Sequence, residues 1–244
     1  MNFLVELVLL LPLLFIFYLE SFVKLFIPKK GKSVTGEIVL ITVAGYGIGR
    51  LTAYEFAKLK SKLVFWDINK YEIGDISILV NNAGVVYTSD LFSTQDSQIE
   101  KTFAVNTLAH FWTTKAFLPS MMKNNDGHIV TVASAAGLIG VPFLLAYCSS
   151  KFAAVGFHGA LTEELNAFKK NGIKTTCFCP NFINTEVVKK LMNGILTEKR
   201  MVLVPSSLNF LLILEKFLPQ RFREILKRRA NIMDAVIGYK VKEQ

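Results

Sequence analysis

Apolar and polar positions alternate along the chain in blocks that predict short buried strands separated by helices. The apolar run EIVLIT is followed by a Gly-rich turn and the helical pattern LTAYEFAKLK, and a second strand is predicted from Lys62 to Trp66. The segments Ile78 to Val80 and HIVTVAS give two more strands, with a helical stretch between them. Strands that alternate with helices indicate an α/β fold built on a parallel sheet.

A separate hydrophobic segment precedes this pattern. The 13 uncharged residues 7–19 are bordered by Glu6 and Glu20 and interrupted by Pro12, whereas a straight membrane-spanning helix needs roughly 20 apolar residues. No basic stretch precedes the run and no small-residue cleavage site follows it, which argues against a signal peptide. The basic flank KKGK at 29–32 suits a cytoplasmic membrane face. We expect a monotopic or hairpin membrane anchor, with a true span as the second interpretation and a buried core helix as the third.

Length, net charge and the positions of the cysteines and histidines exclude several classes of protein. The length of 244 residues suits one α/β domain, and the net charge of +9 fits nucleic acid, an anionic membrane or a phosphate-rich cofactor. The chain has no zinc-ligand spacing, RNA-binding aromatic motif or helix-turn-helix signature, so nucleic acid is not expected. The three cysteines, Cys148, Cys177 and Cys179, read as buried reduced thiols. The three histidines lie far apart, so no metal is expected.

The Gly-rich turn has the context of a dinucleotide-binding site. Gly45, Gly47 and Gly49 follow the first strand and open a helix, so a pyrophosphate can approach the backbone at the helix N-terminus. Asp67 ends the second strand, 18 positions after Gly49, where its carboxylate can accept from a ribose hydroxyl. Because that charge would repel a 2′-phosphate, the sequence favours NAD over NADP.

Tyr147 and Lys151 carry the candidate chemistry. They are four residues apart, so on a helix they share one face. An ammonium group near a phenol lowers the pKa of the tyrosine from about 10 toward neutrality, which gives a general acid and base. Ser134 ends the preceding strand, where its hydroxyl can hydrogen-bond a substrate oxygen.

These motifs in this order resemble the short-chain dehydrogenase/reductase family. The set is T-x-x-G-x-G-I-G from Thr42, then NNAG, Asn106, Ser134 and Y-x-x-x-K. Longer stretches such as LVNNAGVVYTSDLF and AYCSSKFAAVGFH resemble its 17-beta-hydroxysteroid dehydrogenase subgroup of types eleven and thirteen, and the resemblance covers nearly the whole chain. It implies a Rossmann-like doubly wound parallel sheet and hydride transfer between NAD and a secondary alcohol or ketone of a lipophilic, steroid- or retinoid-like substrate.

The resemblance also implies site residues and a location. The implied catalytic residues are Asn106, Ser134, Tyr147 and Lys151, with Asn106 holding a water that relays protons to Lys151. The implied cofactor-binding residues are Thr42, Gly45, Gly47, Ile48, Gly49, Asp67, Asn82, Ala83, Gly84, Tyr147, Lys151 and Thr185. The subgroup is associated with the endoplasmic reticulum and lipid droplets, so we expect the catalytic domain to face the cytosol, and a homodimer is a family expectation.

Three departures from the family pattern stand out. Val43 replaces the usual glycine after Thr42, and a β-branched residue in a tight turn costs conformational energy. Only about five residues after Lys70 the chain reaches the next family strand, too few for a helical crossover, so we expect the third strand and its flanking helices to be absent. Thr185 leads directly into Glu186, without the loop that normally closes over the substrate.

The expected organisation is a hydrophobic anchor at 1–30, a Rossmann-like domain at 36–200 and a basic amphipathic region at 201–244. The last region suits either a membrane surface or a helix that caps the domain. Two functions remain open at this stage. The intact catalytic set favours an NAD-dependent lipid dehydrogenase, whereas Val43 and the shortened interval favour a membrane-associated protein that no longer catalyses the reaction.

Overall fold

The structure is a computed structural model of the 244-residue chain. It describes residues 3–27, 29–45, 47–65, 75–181 and 185–208, together with 210, 212, 214, 218–220 and 222. Asp67 and most of the predicted basic region at 201–244 lie outside the described residues. The chain divides into two units, Met1–Lys32 and Ser33–Gln244.

The first unit contains one helix, α1, from Phe3 to Phe26, and Pro12 lies inside it. The side chains of residues 10–24 are exposed, and most of them are apolar. A single helix forms here and not a hairpin, because the apolar residues continue the helix on both sides of the proline. Within the described parts of the chain, no helix combines the length and the hydropathy required to cross a bilayer. Membrane attachment stays a prediction.

The described part of the second unit is built on six parallel strands in the order β2-β1-β3-β4-β5-β6. The strands are β1 (Ile38–Ile41), β2 (Lys62–Phe65), β3 (Ile78–Asn81), β4 (Gly127–Val132), β5 (Ile173–Pro180) and β6 (Met201–Val204). The helices are α2 (Gly47–Lys58), α3 (Asp96–Phe103), α4 (Ala109–Asn124), α5 (Leu145–Ala167) and α6 (Thr185–Leu196). A π-helical turn, Ala104–Leu108, joins α3 to α4, and the 3-10 turn Ala135–Gly137 follows β4.

Strands β1, β3 and β4 are buried almost throughout, which fits their richness in apolar residues. Ile78 and Val80 of β3 pack on one face with side chains of α2 and α6, among them Phe56 and Leu191. Leu79 packs on the opposite face with side chains of α4 and α5, in a cluster that contains Ile129, Met121, Leu161 and Leu165. Helices on both faces of a parallel sheet confirm the predicted doubly wound α/β fold.

The predicted shortening is visible at one edge of the sheet. Among the described residues, β2 pairs with β1 alone and no strand lies beyond it. At the other edge, β6 pairs with β5 from Met201 to Val204, so the sheet extends past residue 200, where the predicted domain ended. The sequence MVLV has the β-branched, apolar composition of a strand, and its pairing with β5 places it in the domain.

Val43 occupies a strained backbone conformation at the end of β1. Its φ is 53° and its side chain is 58% exposed. This left-handed region costs an L-residue about 1–2 kcal/mol, and a β-branched side chain is among the least suited to it. The exposed side chain gains little burial in return. The structure therefore confirms the predicted conformational cost of replacing glycine here.

We expect Val43→Gly to raise the free energy of unfolding by about 1 kcal/mol, because relief of the strain exceeds the added entropy of glycine in the unfolded chain. Chemical denaturation of the detergent-solubilised protein measures this change. Val86→Gly is the matched control, since Val86 is also exposed but has no positive φ. Equal effects of the two substitutions would contradict the strain at Val43.

Candidate active site

The carboxyl ends of β1 and β3 meet where the strand order reverses, the usual ligand site of such sheets. Thr42 joins these two ends. Its hydroxyl oxygen accepts hydrogen bonds from the backbone N–H groups of Asn82 and Ala83, each at 2.9 Å. The Asn82 side-chain amide donates to the carbonyl oxygens of Thr42 (3.0 Å) and Val43 (3.1 Å). The NNAG segment is thus held against the Gly-rich turn.

The start of α2 packs closely against this junction. A Cβ at Gly49 would lie 2.3 Å from the Val43 carbonyl oxygen and 2.5 Å from the Asn82 side-chain nitrogen, so only glycine fits there. At Gly45 and Gly47, in contrast, an added Cβ would meet nothing within 4 Å, and the backbone is open to a ligand. Ile48 is buried beneath them. The first turn of α2 carries no acidic residue, so these residues fit the pyrophosphate of a dinucleotide.

Asn106 lies on the π-helical turn and is completely buried. Its amide oxygen accepts from the N–H of Val85 (2.8 Å), and its amide nitrogen donates to the Val85 carbonyl (2.9 Å) and to the Ser150 hydroxyl (3.0 Å). Asn106 therefore fixes the segment after Gly84 and ties it to α5. These three bonds leave the amide oxygen one lone pair, and the predicted water relay stays a prediction.

Ser134 and Tyr147 come together from β4 and α5. The Ser134 hydroxyl oxygen accepts from the N–H of Ala136 (3.2 Å) and donates to the carbonyl of Pro180 (3.4 Å). The Ser134 hydroxyl also lies near the phenol of Tyr147, and a hydrogen bond from it would lower the pKa of that phenol. The two hydroxyls that the sequence assigned to the substrate oxygen are therefore neighbours, although they are 13 residues apart in the chain.

Lys151 is buried below Tyr147, with only 3% of its surface exposed. Its ammonium group donates to the Val132 carbonyl at 3.0 Å and lies 5.8 Å from the centre of the Tyr147 ring. A Cβ at Gly84 would lie 3.5 Å from both the Lys151 nitrogen and the Asn106 amide oxygen. The catalytic candidates Asn106, Ser134, Tyr147 and Lys151 therefore share one site, and Gly84 leaves space above the lysine.

The electrostatics of Tyr147 differ from the sequence-based expectation. Burial raises the pKa of Tyr147 above its ordinary value, and a hydrogen bond from Ser134 opposes this shift only in part. Burial also lowers the pKa of Lys151 to about 8, against the opposing effect of Cys179 and Cys177. The expected decrease of the tyrosine pKa toward neutrality is therefore wrong for this structure. The ammonium donates to the Val132 carbonyl, and burial of the phenol is the largest cause of the shift.

The remaining predicted residues are placed only in part. Thr185 is the first residue of α6, but its side chain lies outside the described residues, as does Asp67. The three cysteines are buried and unpaired, as predicted. Sequence reasoning missed Ser150, which binds Asn106, and His110, which is buried beside Lys151. His110 follows Asn106 by one helical turn, so helical spacing alone could have indicated it.

The chain is similar in sequence to known dehydrogenases. A family model described as short chain dehydrogenase matches residues 69–195. Estradiol 17-beta-dehydrogenase 11 from Macaca fascicularis is 62% identical over 300 residues, and the human protein of that name is 61% identical, each with 100% of both chains covered. Human 17-beta-hydroxysteroid dehydrogenase 13 is 51% identical over 298 residues, with 99% of each chain covered.

The comparisons also concern the length of the chain and its fold. The alignments extend over 300 residues although this chain has 244, so the relatives contain internal segments that it lacks. A short chain dehydrogenase/reductase from Burkholderia phymatum, solved in complex with NAD, superposes with a TM-score of 0.67 at 20% identity, covering 74% of this chain and 92% of that one. This likeness supports the fold. Together with the family match and the curated relatives, it shows that the chain belongs to the short-chain dehydrogenase family.

Proposed function

We propose that this chain is an oxidoreductase that transfers a hydride between NAD and a secondary alcohol or ketone of a lipophilic, steroid-like substrate. The observation that carries the proposal is the convergence of Ser134, Tyr147, Lys151 and Asn106 next to the open glycine backbone of the β1–β3 junction. The names of the relatives, which are estradiol and 17-beta-hydroxysteroid dehydrogenases, support the substrate class.

The bound nicotinamide would supply the hydride chemistry, and the chain would supply position and protons. The Ser134 hydroxyl can donate to the substrate oxygen, while the Tyr147 hydroxyl gives or takes the proton on that oxygen. Lys151 supplies a positive charge beneath the phenol, and Gly84 leaves room above the ammonium group. Asn106 keeps the Gly84–Val85 segment in place.

The choice of NAD over NADP depends on Asp67 at the sequence level. A carboxylate after the second strand accepts from a ribose hydroxyl and repels a 2′-phosphate. We therefore propose NAD as the cofactor, with tighter binding of NADH than of NADPH.

A second candidate function is a membrane-associated protein without turnover. Two observations favour it: the left-handed backbone of Val43 at the cofactor turn, and a described sheet that ends at β2. Strain and an uncovered edge both reduce the stability of the half that would bind adenosine. Binding of the cofactor distinguishes the two functions.

Titration of NADH into the detergent-solubilised chain, followed by fluorescence, tests the proposal. We expect micromolar binding, weaker binding of NADPH, and a loss of turnover of at least about 100-fold in Tyr147→Phe, with NADH still bound in the micromolar range. Tyr54→Phe is the matched control, because Tyr54 is exposed on α2. A folded chain that does not bind NADH would instead support the non-catalytic function.

The pKa directions predict a dependence of the reaction direction on pH. Tyr147 stays protonated at neutral pH because burial raises its pKa, so it is a proton donor suited to ketone reduction. Lys151 loses its charge above about pH 8. We expect the reduction rate to fall as pH rises through 8 and the oxidation rate to rise toward pH 10. Initial rates in both directions between pH 6 and 10 measure this, and parallel profiles would contradict it.

We also propose that the chain associates with the endoplasmic reticulum membrane and lipid droplets, with its catalytic domain facing the cytosol. Support comes from the exposed apolar side chains of α1 and the basic flank at 29–32.

The family expectation of a homodimer also stays a proposal. It is supported by the exposed Phe111, Trp112 and Phe152 on α4 and α5, and sedimentation velocity measures it.

We expect Leu13→Glu combined with Phe17→Glu to release the chain from lipid vesicles in a flotation assay, because it replaces two exposed apolar side chains of α1 by charges. Glu20→Gln on the same helix is the control and should float as the unaltered chain does. Unchanged flotation of the double variant would show that α1 does not anchor the protein.

A further inference from the structure

A buried group of polar side chains lies between α4 and the sheet, next to the catalytic site. Asn81 and Thr131 are paired in register at the carboxyl ends of β3 and β4. Two residues earlier on the same strands, Leu79 and Ile129 pack with side chains of α4 and α5. Because side chains alternate along a strand, Asn81 and Thr131 project toward the same two helices.

Helix α4 completes this group, which we call the polar layer: Asn81, His110, Thr113 and Thr131. The Thr113 hydroxyl lies 2.7 Å from the Asn81 amide oxygen and 2.9 Å from the Ala109 carbonyl oxygen, and its single proton can be donated to either of them. His110 precedes Thr113 by almost one helical turn and contacts the ring of Phe157 on α5, with the ring centres 5.9 Å apart. Only 1% of the His110 surface is exposed.

Several polar atoms of this layer have no hydrogen-bond partner among the described residues. They are the Asn81 amide nitrogen, both ring nitrogens of His110 and the Thr131 hydroxyl. A buried polar group without a partner destabilises the fold, and four such atoms in one layer would be a large cost for a domain. Buried water with two to four polar neighbours is the usual way in which proteins satisfy such groups.

Lys151 reaches the edge of the polar layer, because its ammonium group donates to the carbonyl oxygen of Val132, the residue that follows Thr131. Burial, together with the positive charge of Lys151, lowers the pKa of His110 to about 3, so the imidazole is neutral at working pH. A neutral imidazole has one donor and one acceptor, and here neither is used by the described residues. His110 can therefore accept a hydrogen bond that originates at the ammonium group and donate one into the polar layer.

We propose that Asn81, His110 and Thr131 hold ordered water between α4 and the sheet, and that His110 is a positioning residue that couples this water to the ammonium group of Lys151. The coupling stabilises the protonated lysine, because a water oriented by the imidazole presents its oxygen to the ammonium. The water site stands on the geometry alone, whereas its effect on turnover rests on the proposed dehydrogenase function.

Other groups also face Lys151, and the experiment has to separate them from His110. Tyr147 lies on the same helix, and Cys177 and Cys179 approach from β5 with their sulfur atoms 3.7 Å apart. None of these groups lies on α4. Substitutions at His110 therefore change the polar layer and leave the other neighbours of Lys151 in place.

The water site can be tested without turnover. The chain has three histidines, so a sample labelled with 15N-histidine gives three sets of ring signals, and the spectrum of His110→Gln assigns those of His110. We expect magnetisation transfer from long-lived water to the His110 ring protons of the detergent-solubilised chain. The absence of this transfer in a folded sample would overturn the water site.

The coupling to Lys151 is tested with two variants. His110→Phe keeps a ring against Phe157 but removes both nitrogens, whereas His110→Gln retains one donor and one acceptor. The titration of Lys151 is followed with lysine labelled at Cε and assigned through Lys151→Met. We expect Lys151 of His110→Phe to titrate about one pH unit lower than Lys151 of the unaltered chain. In His110→Gln, its titration should stay within a few tenths of a pH unit of the unaltered chain.

Turnover provides a second readout where the chain is active. The alkaline limb of ketone reduction should move down by the same pH interval in His110→Phe, with NADH affinity unchanged, and should be restored in His110→Gln. Equal Lys151 titration in all three proteins, or an equal shift in both variants, would overturn the coupling. An unaltered chain that shows no turnover would count against the proposed function, while the lysine titration would still decide the coupling.

Discussion

The burial of one ammonium group is the constraint on which this site depends. Lys151 is almost inaccessible to solvent, and its described hydrogen bond goes to the carbonyl at the end of β4. A charge in such a position is costly unless polar groups surround it. The backbone next to Lys151 is also tightly packed, because a Cβ at Gly137 would lie 2.5 Å from the Lys151 carbonyl oxygen. The 3-10 turn after Ser134 can therefore pack this closely against α5 only because residue 137 is a glycine.

The other catalytic candidates follow from this arrangement. The π-helical turn rotates Asn106 so that its amide binds both backbone groups of Val85 and the hydroxyl of Ser150. Turns of this kind are found mostly where function requires a local departure from the α-helix. These hydrogen bonds join three segments around the lysine, namely Gly84–Val85, the π-helical turn and α5. Joining these segments positions the proton-transferring groups relative to one another.

The shortened sequence affects the two sides of the sheet differently. The strands from β3 to β6 keep their neighbours, and with them the catalytic groups. At the opposite edge the described sheet ends at β2, and the turn after β1 contains Val43 in a left-handed conformation. The strained turn and the uncovered strand lie in the part of the domain that would hold the adenosine of a dinucleotide. The catalytic groups, in contrast, remain together. Cofactor affinity, and not the chemistry of the catalytic set, is therefore where we expect this protein to differ from its relatives.

The resemblance to the family supplied Asn106, and the sequence pattern by itself determined the α/β class, the Gly-rich turn, the shortened interval after the second strand and the Tyr147–Lys151 pair. These depend on local spacing: the period of apolar residues, the four-residue interval between Tyr147 and Lys151, and the length of chain left for a crossover. The tertiary structure alone decided the pairing of Met201–Val204 with β5, the direction of the Tyr147 pKa shift and the place of His110. Those properties depend on which distant segments remove water from a group. Desolvation is a sum over neighbours that are far apart in the chain, and local spacing does not determine it.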